Sequence, residues 1–140
     1  MLVSELAKRV SITPDTVRFY TRVNLLQPRI DSINGYKRYD NEDLHRLKFI
    51  LAARNLGFSV EDIRQILDRT DNHHSACGLV RDLINRRLQE TEQSFRDMVA
   101  LRERMIAAAS AWNQMEDQPP SNESICHLIE TFSEIDGGEV

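Results

Sequence analysis

Two groups of side chains in this sequence have the types and spacing for chemistry. The first is Tyr36-Lys37-Arg38-Tyr39, which alternates aromatic and basic residues directly after Asn34-Gly35. Such a segment can lay cations along phosphates while a phenol packs on sugar and donates a hydrogen bond. The second is a pair of thiols, Cys77 and Cys126. In an intracellular chain two distant cysteines point to free thiols or metal ligands rather than a structural disulfide. The plain alternative is two small apolar residues. Paired catalytic carboxylates, a nucleophile motif and a phosphate-binding glycine loop are all missing. The five glycines mark turns and ends, so enzymatic activity is not expected.

Charge supports the polyanion reading only when divided along the chain. The net charge is -4, but residues 1–70 hold 12 Lys/Arg against 9 Asp/Glu and residues 71–140 hold 6 against 13. A basic head on an acidic tail is expected where only the head approaches nucleic acid. With 41% hydrophobic residues and a mean hydropathy of -0.46, the chain can build a core. No apolar run approaches the ~18 residues of a membrane span, so no membrane partner is expected. The opening MLVSELAKRV lacks the basic-then-apolar pattern of a signal peptide. A cytoplasmic location is the expectation.

The elements that would position these groups are short at first. Ser4 to Val10 reads as a helix with Leu6, Ala7 and Val10 on one face. Thr13 is a good N-cap and Pro14 suits the first helical position, so a second helix is predicted from about Pro14 to Val23. Val17, Tyr20 and Thr21 are spaced to face inward. Two short helices joined by a tight turn make a helix-turn-helix. Asn34-Gly35, both tolerant of positive φ, predicts a tight hairpin whose far arm is the basic-aromatic segment, the form of a wing. Asp40 or Asn41 can cap a third helix carrying Leu44, Leu47, Ile50 and Leu51 and ending at Gly57. Ser59 and Asp62 resemble a capping box for a fourth, with Ile63, Ile66 and Leu67 inward.

From about residue 76 to 113 a long helix is predicted. Stepping by four and three gives Ile84, Leu88, Thr91, Phe95, Met98, Arg102, Met105, Ala109 and Trp112, seven of nine apolar. That is a coiled-coil stripe on a helix of roughly 55–60 Å, and a partner chain is the simplest way to bury it. Gln118-Pro119-Pro120 ends the helix, and a short closing helix begins near Ser124 with Ile125, Leu128, Ile129 and Phe132 available for packing. The expected divisions are a head over 1–70, a dimerisation helix over 76–113, a loop and short helix over 114–132, and a flexible tail over 133–140.

Several of these segments resemble, in order and spacing, the N-terminal signature of MerR-family transcriptional regulators: Val3-Ser4-Glu5-Leu6-Ala7, Thr16-Val17-Arg18-Phe19-Tyr20, Leu25-Leu26-Gln27-Pro28-Arg29, Gly35-Tyr36-Lys37-Arg38-Tyr39 and Leu56-Gly57-Phe58-Ser59. The resemblance implies a mainly α fold: a winged helix-turn-helix head, a long antiparallel coiled-coil dimerisation helix and a short C-terminal loop-helix. It implies a homodimer that binds double-stranded promoter DNA and activates transcription by RNA polymerase, by distorting a promoter whose two polymerase elements are spaced too widely. The second helix would enter the major groove, with Thr16 and Arg18 facing DNA and Tyr20 on a phosphate. Tyr36, Lys37 and Arg38 of the wing would grip the backbone. Arg18 suits a base edge or a phosphate because its guanidinium donates two bonds at once.

The same resemblance gives the thiols a role. Cys77 and Cys126 match the first and last ligand positions of the metal-responsive branch, where one subunit's dimerisation helix meets the partner's loop. A thiol at the Cys77 position resembles the sensors of divalent ions. Where that loop normally carries a further cysteine, this chain has Glu116, Asp117, Gln118 and Pro119. Oxygen or imidazole would then complete the shell, from Asp117, Glu116, His127, or His73 or His74. Two thiolates with such donors suit a zinc- or cadmium-like ion, with lead or mercury as further members of the class. The alternative signal is an oxidant or electrophile acting on Cys77 and Cys126. An organic effector is not expected, because the residues after 113 leave no room for a ligand-binding domain.

Overall fold

In the computed structural model, which describes residues 1–135, the chain separates into two compact units, Met1–Leu88 and Gln89–Val140. The first contains helices α1 (Val3–Arg9), α2 (Pro14–Arg22), α3 (Asn41–Asn55) and α4 (Val60–Asp71), with a hairpin of β1 (Arg29–Ile30) and β2 (Lys37–Arg38) between α2 and α3. A long helix, α5 (Cys77–Trp112), begins in the first unit and continues in the second, which also holds α6 (His127–Ile135). The fold is the mainly α, winged helix-turn-helix class expected.

Local chemistry starts α2, α3 and α4 where the sequence predicts, whereas α1 begins at Val3 without a side-chain cap. Thr13 accepts the Thr16 N–H at 3.2 Å ahead of Pro14. Asp40 and Asp43 exchange side-chain and backbone bonds in a capping box, so Asp40 is the cap of α3. Ser59 and Asp62 do the same for α4, showing that a shorter aspartate can replace the usual glutamate.

The ends of the head helices share a geometry that the sequence does not announce. Ser11, Asn24, Gly57 and His73, each just past a helix, all have positive φ. Each N–H bonds back to a carbonyl three residues earlier, and the next residue's N–H bonds five back: Ile12 to Ala7, Leu25 to Tyr20, Phe58 to Ala53, His74 to Arg69. These are Schellman motifs. In the first three, the residue after the turn is apolar and packs into or against the core, which is what drives the chain to reverse there. Only one of the four turn residues is glycine, so the side chains at Ser11 and His73 hold a backbone region that L-residues resist.

The core of this unit joins Leu6, Ala7, Val17 and Tyr20 to Leu25, Leu26, Tyr39, Leu47, Ile50, Phe58, Ile63 and Ile66. Leu83 of α5 is fully buried in it, and Leu79, Val80 and Ile84 pack against it. The first turns of α5 thus cover an apolar face that α1 to α4 leave, and the compact unit runs on past the expected head of 1–70 to Leu88. Asp62 fixes that docking. It is buried, and its two oxygens accept Arg87 Nε at 2.8 Å and Nη2 at 3.0 Å, while one also accepts the Ser59 N–H. Desolvation pushes the carboxyl up, but the Ser59 and Arg87 donors outweigh it and hold it below the ordinary carboxylate range. On the other side, Arg46 donates to the Leu25 carbonyl at 2.7 Å and to both oxygens of Asp71, tying α3 to the end of α4.

In the second unit, Trp112 donates Nε1–H to the Leu128 carbonyl at 2.9 Å and meets Phe132 edge to face at 6.1 Å, which docks α6 on the end of α5. Leu88, Phe95, Met98 and Met105 of the expected stripe are exposed in the single chain, whereas Ile84 is taken by the head core. The closing helix starts at His127, not near Ser124. Glu130 is the reason: its carboxylate accepts the N–H groups of Ile125 and Cys126, at 2.7 and 2.8 Å, and so holds Ser124 to Cys126 as a turn. The helix then runs to Ile135, so the expected tail beginning at residue 133 is helical for its first three positions. Residues 136–140 of that tail lie outside the described residues.

Two stability outcomes follow from these contacts. Replacing Ser11 by Gly relieves the positive-φ strain but enlarges unfolded freedom. Urea unfolding should show a net gain of about 0.5–1 kcal/mol. Asp62→Asn removes the buried carboxylate charge that accepts Arg87 Nε and Nη2 and should cost about 3 kcal/mol at neutral pH. Because the folded pKa of Asp62 is depressed, its contribution is complete above the unfolded value of about 3.9 and fades as pH falls through the folded value. The gap between wild type and Asp62→Asn should therefore be constant above about pH 5 and narrow below about pH 4.

Candidate functional site

The exposed side of α2 is set by its buried side. Val17 and Tyr20 face the core, which turns Asp15, Arg18, Phe19 and Arg22 outward along one stripe. The members of this stripe hold one another. Arg18 Nη1 lies 2.8 Å from Asp15 Oδ1, the Arg22 guanidinium sits 5.9 Å from the centre of the Phe19 ring, and Phe19 packs edge to face on Tyr20 at 5.3 Å. Of these, sequence reasoning singled out only Arg18. The missed residues were legible in principle from their helical spacing opposite Val17 and Tyr20.

Thr16 is half-buried, and its hydroxyl lies 2.9 Å from that of Thr13, so it reinforces the helix cap. Tyr20 is placed unusually well for a single outward bond. Its ring is core, with only 6% of the residue exposed. Its hydroxyl meets no hydrogen-bond partner among the described residues, yet no buried side-chain polar atom there is left unsatisfied. The hydroxyl therefore reaches solvent at the end of an immobilised ring.

The wing differs from the tight two-residue hairpin expected. Register pairs Arg29 with Arg38 and Ile30 with Lys37, and six residues, 31 to 36, connect the strands. Asp31 organises that loop by accepting the N–H groups of Ile33 and Asn34. Only Gly35 of the Asn34-Gly35 pair has positive φ; Asn34 instead accepts the Tyr36 N–H at 3.0 Å. The bonds from Ile33 and Asn34, with Arg38 Nε 3.6 Å away, hold the Asp31 carboxyl below its ordinary pKa. Cross-strand partners share a face, so Arg29 and Arg38 lie on one side of the wing and Ile30 and Lys37 on the other.

Tyr39 joins the wing to α2. Its ring is buried, and its hydroxyl lies 2.8 Å from Thr21 Oγ1. The Thr21 hydroxyl already donates to the Val17 carbonyl, so Tyr39 is the donor between them. As a result Arg18 of α2 and Tyr36, Gly35 and Lys37 of the wing line a single groove of about 360 Å³ with Leu2, Val3 and Ser4. The structure thus brings together Arg18, Tyr36 and Lys37. Arg38 is exposed on the wing but outside that groove, and Thr16 and Tyr20 do not line it.

The thiol residues are placed separately. Cys77 is exposed at the first position of α5, its N–H directed to Ser75 Oγ at 3.3 Å. Cys126 is half-buried immediately before α6. His127 is half-buried at the start of α6 and Asp117 is exposed in the preceding loop. Glu130, which sequence reasoning missed, is held ionised by the Cys126 and Ile125 N–H groups, with Ser124 and His127 adding to the effect. His73 occupies a helix-ending turn with positive φ. Among the described residues of one protomer, no three His, Cys, Asp or Glu side chains converge as a metal site. Both thiols are free, so the donor set is chemically suitable but would need a second chain to complete it.

Comparison with known proteins places this geometry. Residues 1–70 match the model described as MerR HTH family regulatory protein, and residues 44–108 match MerR, DNA binding. The chain is 38% identical over 100 residues to the HTH-type transcriptional regulator ZntR of Escherichia coli K12, covering 71% of each protein. It is 33% identical over 134 residues to the HTH-type transcriptional regulator HmrR of Rhizobium leguminosarum bv. viciae, covering 96% of this chain and 98% of that one. Among solved structures, the transcription regulator PbrR691 of Ralstonia metallidurans CH34 in complex with lead(II) superposes with a TM-score of 0.70 at 25% identity, over 94% of this chain and 98% of the other.

The position of Tyr20 gives a clean test of the α2 face. Tyr20→Phe removes a hydroxyl that has no partner among the described residues, so thermal unfolding should be unchanged. A loss of duplex affinity of roughly 3- to 10-fold, equal on all sequences in a fluorescence anisotropy titration, is the outcome expected of a hydroxyl that donates to phosphate, and unchanged affinity would remove Tyr20 from that role.

Proposed function

Because this chain belongs to the MerR family of transcriptional regulators, we propose that it acts as a homodimer that binds promoter DNA and activates transcription when a divalent metal ion is bound. The observation that carries the DNA half is the groove shared by Arg18, Tyr36 and Lys37. A guanidinium on a helix and an ammonium and phenol on a wing, held together by the Tyr39–Thr21 bond, match a major groove flanked by phosphate. The exposed row of Leu88, Phe95, Met98 and Met105 on α5 supports the dimer, since it buries its apolar area only against another surface.

For the metal half, Cys77 and Cys126 of the partner subunit would supply two thiolates, with His127 and Asp117 as the nitrogen and oxygen donors that complete a tetrahedral zinc- or cadmium-like shell. The lead(II) complex of PbrR691 supports this class of effector. Binding at such a site would order the loop before α6. By linkage it would favour one setting of the two heads, and so a bent and untwisted promoter that RNA polymerase can engage. The protein would work in the cytoplasm, where that DNA is.

The test is metal binding by the purified full-length chain alongside transcription in vitro. Cadmium should give thiolate charge-transfer absorption that Cys77→Ser and Cys126→Ser each reduce. Either substitution should weaken metal affinity at least about 100-fold and abolish metal-dependent transcription while leaving operator binding intact. Intact metal response in both variants would sink the site. An oxidant that links Cys77 to Cys126 between chains and switches transcription without metal would replace the metal reading with the redox one.

A further inference from the structure

We propose that Asp15 is a specificity-determining residue, which makes α2 select a cytosine amino group beside the guanine taken by Arg18. The inference rests on the reading that α2 enters the major groove. Asp15 and Arg18 sit one turn apart on the outward stripe of α2, with side chains 91% and 53% exposed, and their tips meet at 2.8 Å. Arg18 also lines the groove shared with the wing, which fixes which side of the pair faces the duplex.

A carboxylate is out of place on a surface made to meet phosphates. It repels them, and it is acceptor-only, so guanine O6 and N7 and thymine O4 offer it nothing. The groups in the major groove that can satisfy it are the amino groups of cytosine and adenine. Its partner is donor-only and finds its best match in guanine O6 and N7. Because the two tips are held together, the base edges they meet must be adjacent as well. A cytosine amino group and a guanine O6 lie side by side across a C·G pair, where guanine N7 completes a two-acceptor edge for the guanidinium; across an A·T pair the adenine amino group is flanked by thymine O4, which offers that fork a single acceptor.

The pair also explains why Arg18 would not settle on a phosphate. Asp15 offsets its charge and fixes the direction of Nη1, so the remaining donors are presented as a directed fork. The consequence is discrimination gained at the expense of sequence-independent affinity.

The experiment selects duplexes from a library with a randomised central stretch, using the full-length chain, and then measures affinity for each base at every selected position. Wild type should prefer cytosine at one position of each half-site by roughly 5- to 100-fold. Asp15→Ala should reduce that preference, at that position alone, to what Arg18 selects by itself, and should bind random duplex more tightly. Asp15→Asn, which keeps the shape and has an amide that pairs with adenine, should narrow the gap between C·G and A·T at that pair while Arg18 still favours guanine. Melting curves of both variants should overlay that of wild type, since the side chain is exposed. An unchanged preference in both variants, or an equal change on every sequence, overturns the role of Asp15. The underlying reading is tested apart: if Arg18→Ala also leaves every preference intact, α2 does not read the groove at all.

Discussion

One buried carboxylate sets the terms for the head. Asp62 must be out of water because α4 packs its first turn against the start of α5, and an isolated buried charge there would be prohibitive. The Ser59 N–H and the two Arg87 donors make the burial tolerable, and they also make it directional. An apolar contact at this place would let α5 slide along its own axis by small amounts. A two-pronged guanidinium–carboxylate fork accepts one register. With that register fixed, Leu83 drops into the core beside Ile63 and Ile66, and the head has the apolar closure that four short helices cannot supply.

The binding face is built on the opposite logic, with its polar groups left open. Tyr20 has a core ring and a solvent-reaching hydroxyl, so its donor is already ordered before any ligand arrives. Arg18 is directed by Asp15, and the wing is stiffened by Asp31 rather than by its strands, which are two residues each. Three carboxylates and phenols thus do the positioning, while the cations they surround face outward. The modest positive charge of the head is consistent with this: a surface that places few cations well needs fewer of them.

What could be read from the sequence was mostly what is decided within three or four residues. Thr13-Pro14 and Ser59 with Asp62 were legible because a cap is a local contest for one or two N–H groups. The 4-3 stripe of α5 was legible because periodicity survives scattered polar positions, although Ile84 proved to serve the head. Asn34-Gly35 misled because Asp31, three residues upstream, captures the N–H groups that would otherwise define a tight turn. The start of α6 was misplaced for a similar reason, since Glu130 reaches back from inside the helix to hold Ile125 and Cys126. Ser11 and His73 in positive φ were illegible, because the apolar or backbone contact that compensates them exists only once the head has folded. The expected thiol ligands belong to different compact units, and among the described residues of one protomer no three candidate ligands converge.

The hydroxyl bond between Tyr39 and Thr21 has a mechanical consequence. It pins the wing to the recognition helix through a buried ring, so the spacing between the two surfaces that would meet DNA is a constant of the fold. A duplex groove whose natural width or curvature did not match that spacing would have to be deformed to fit, at a cost that depends on base sequence even at steps that no side chain touches.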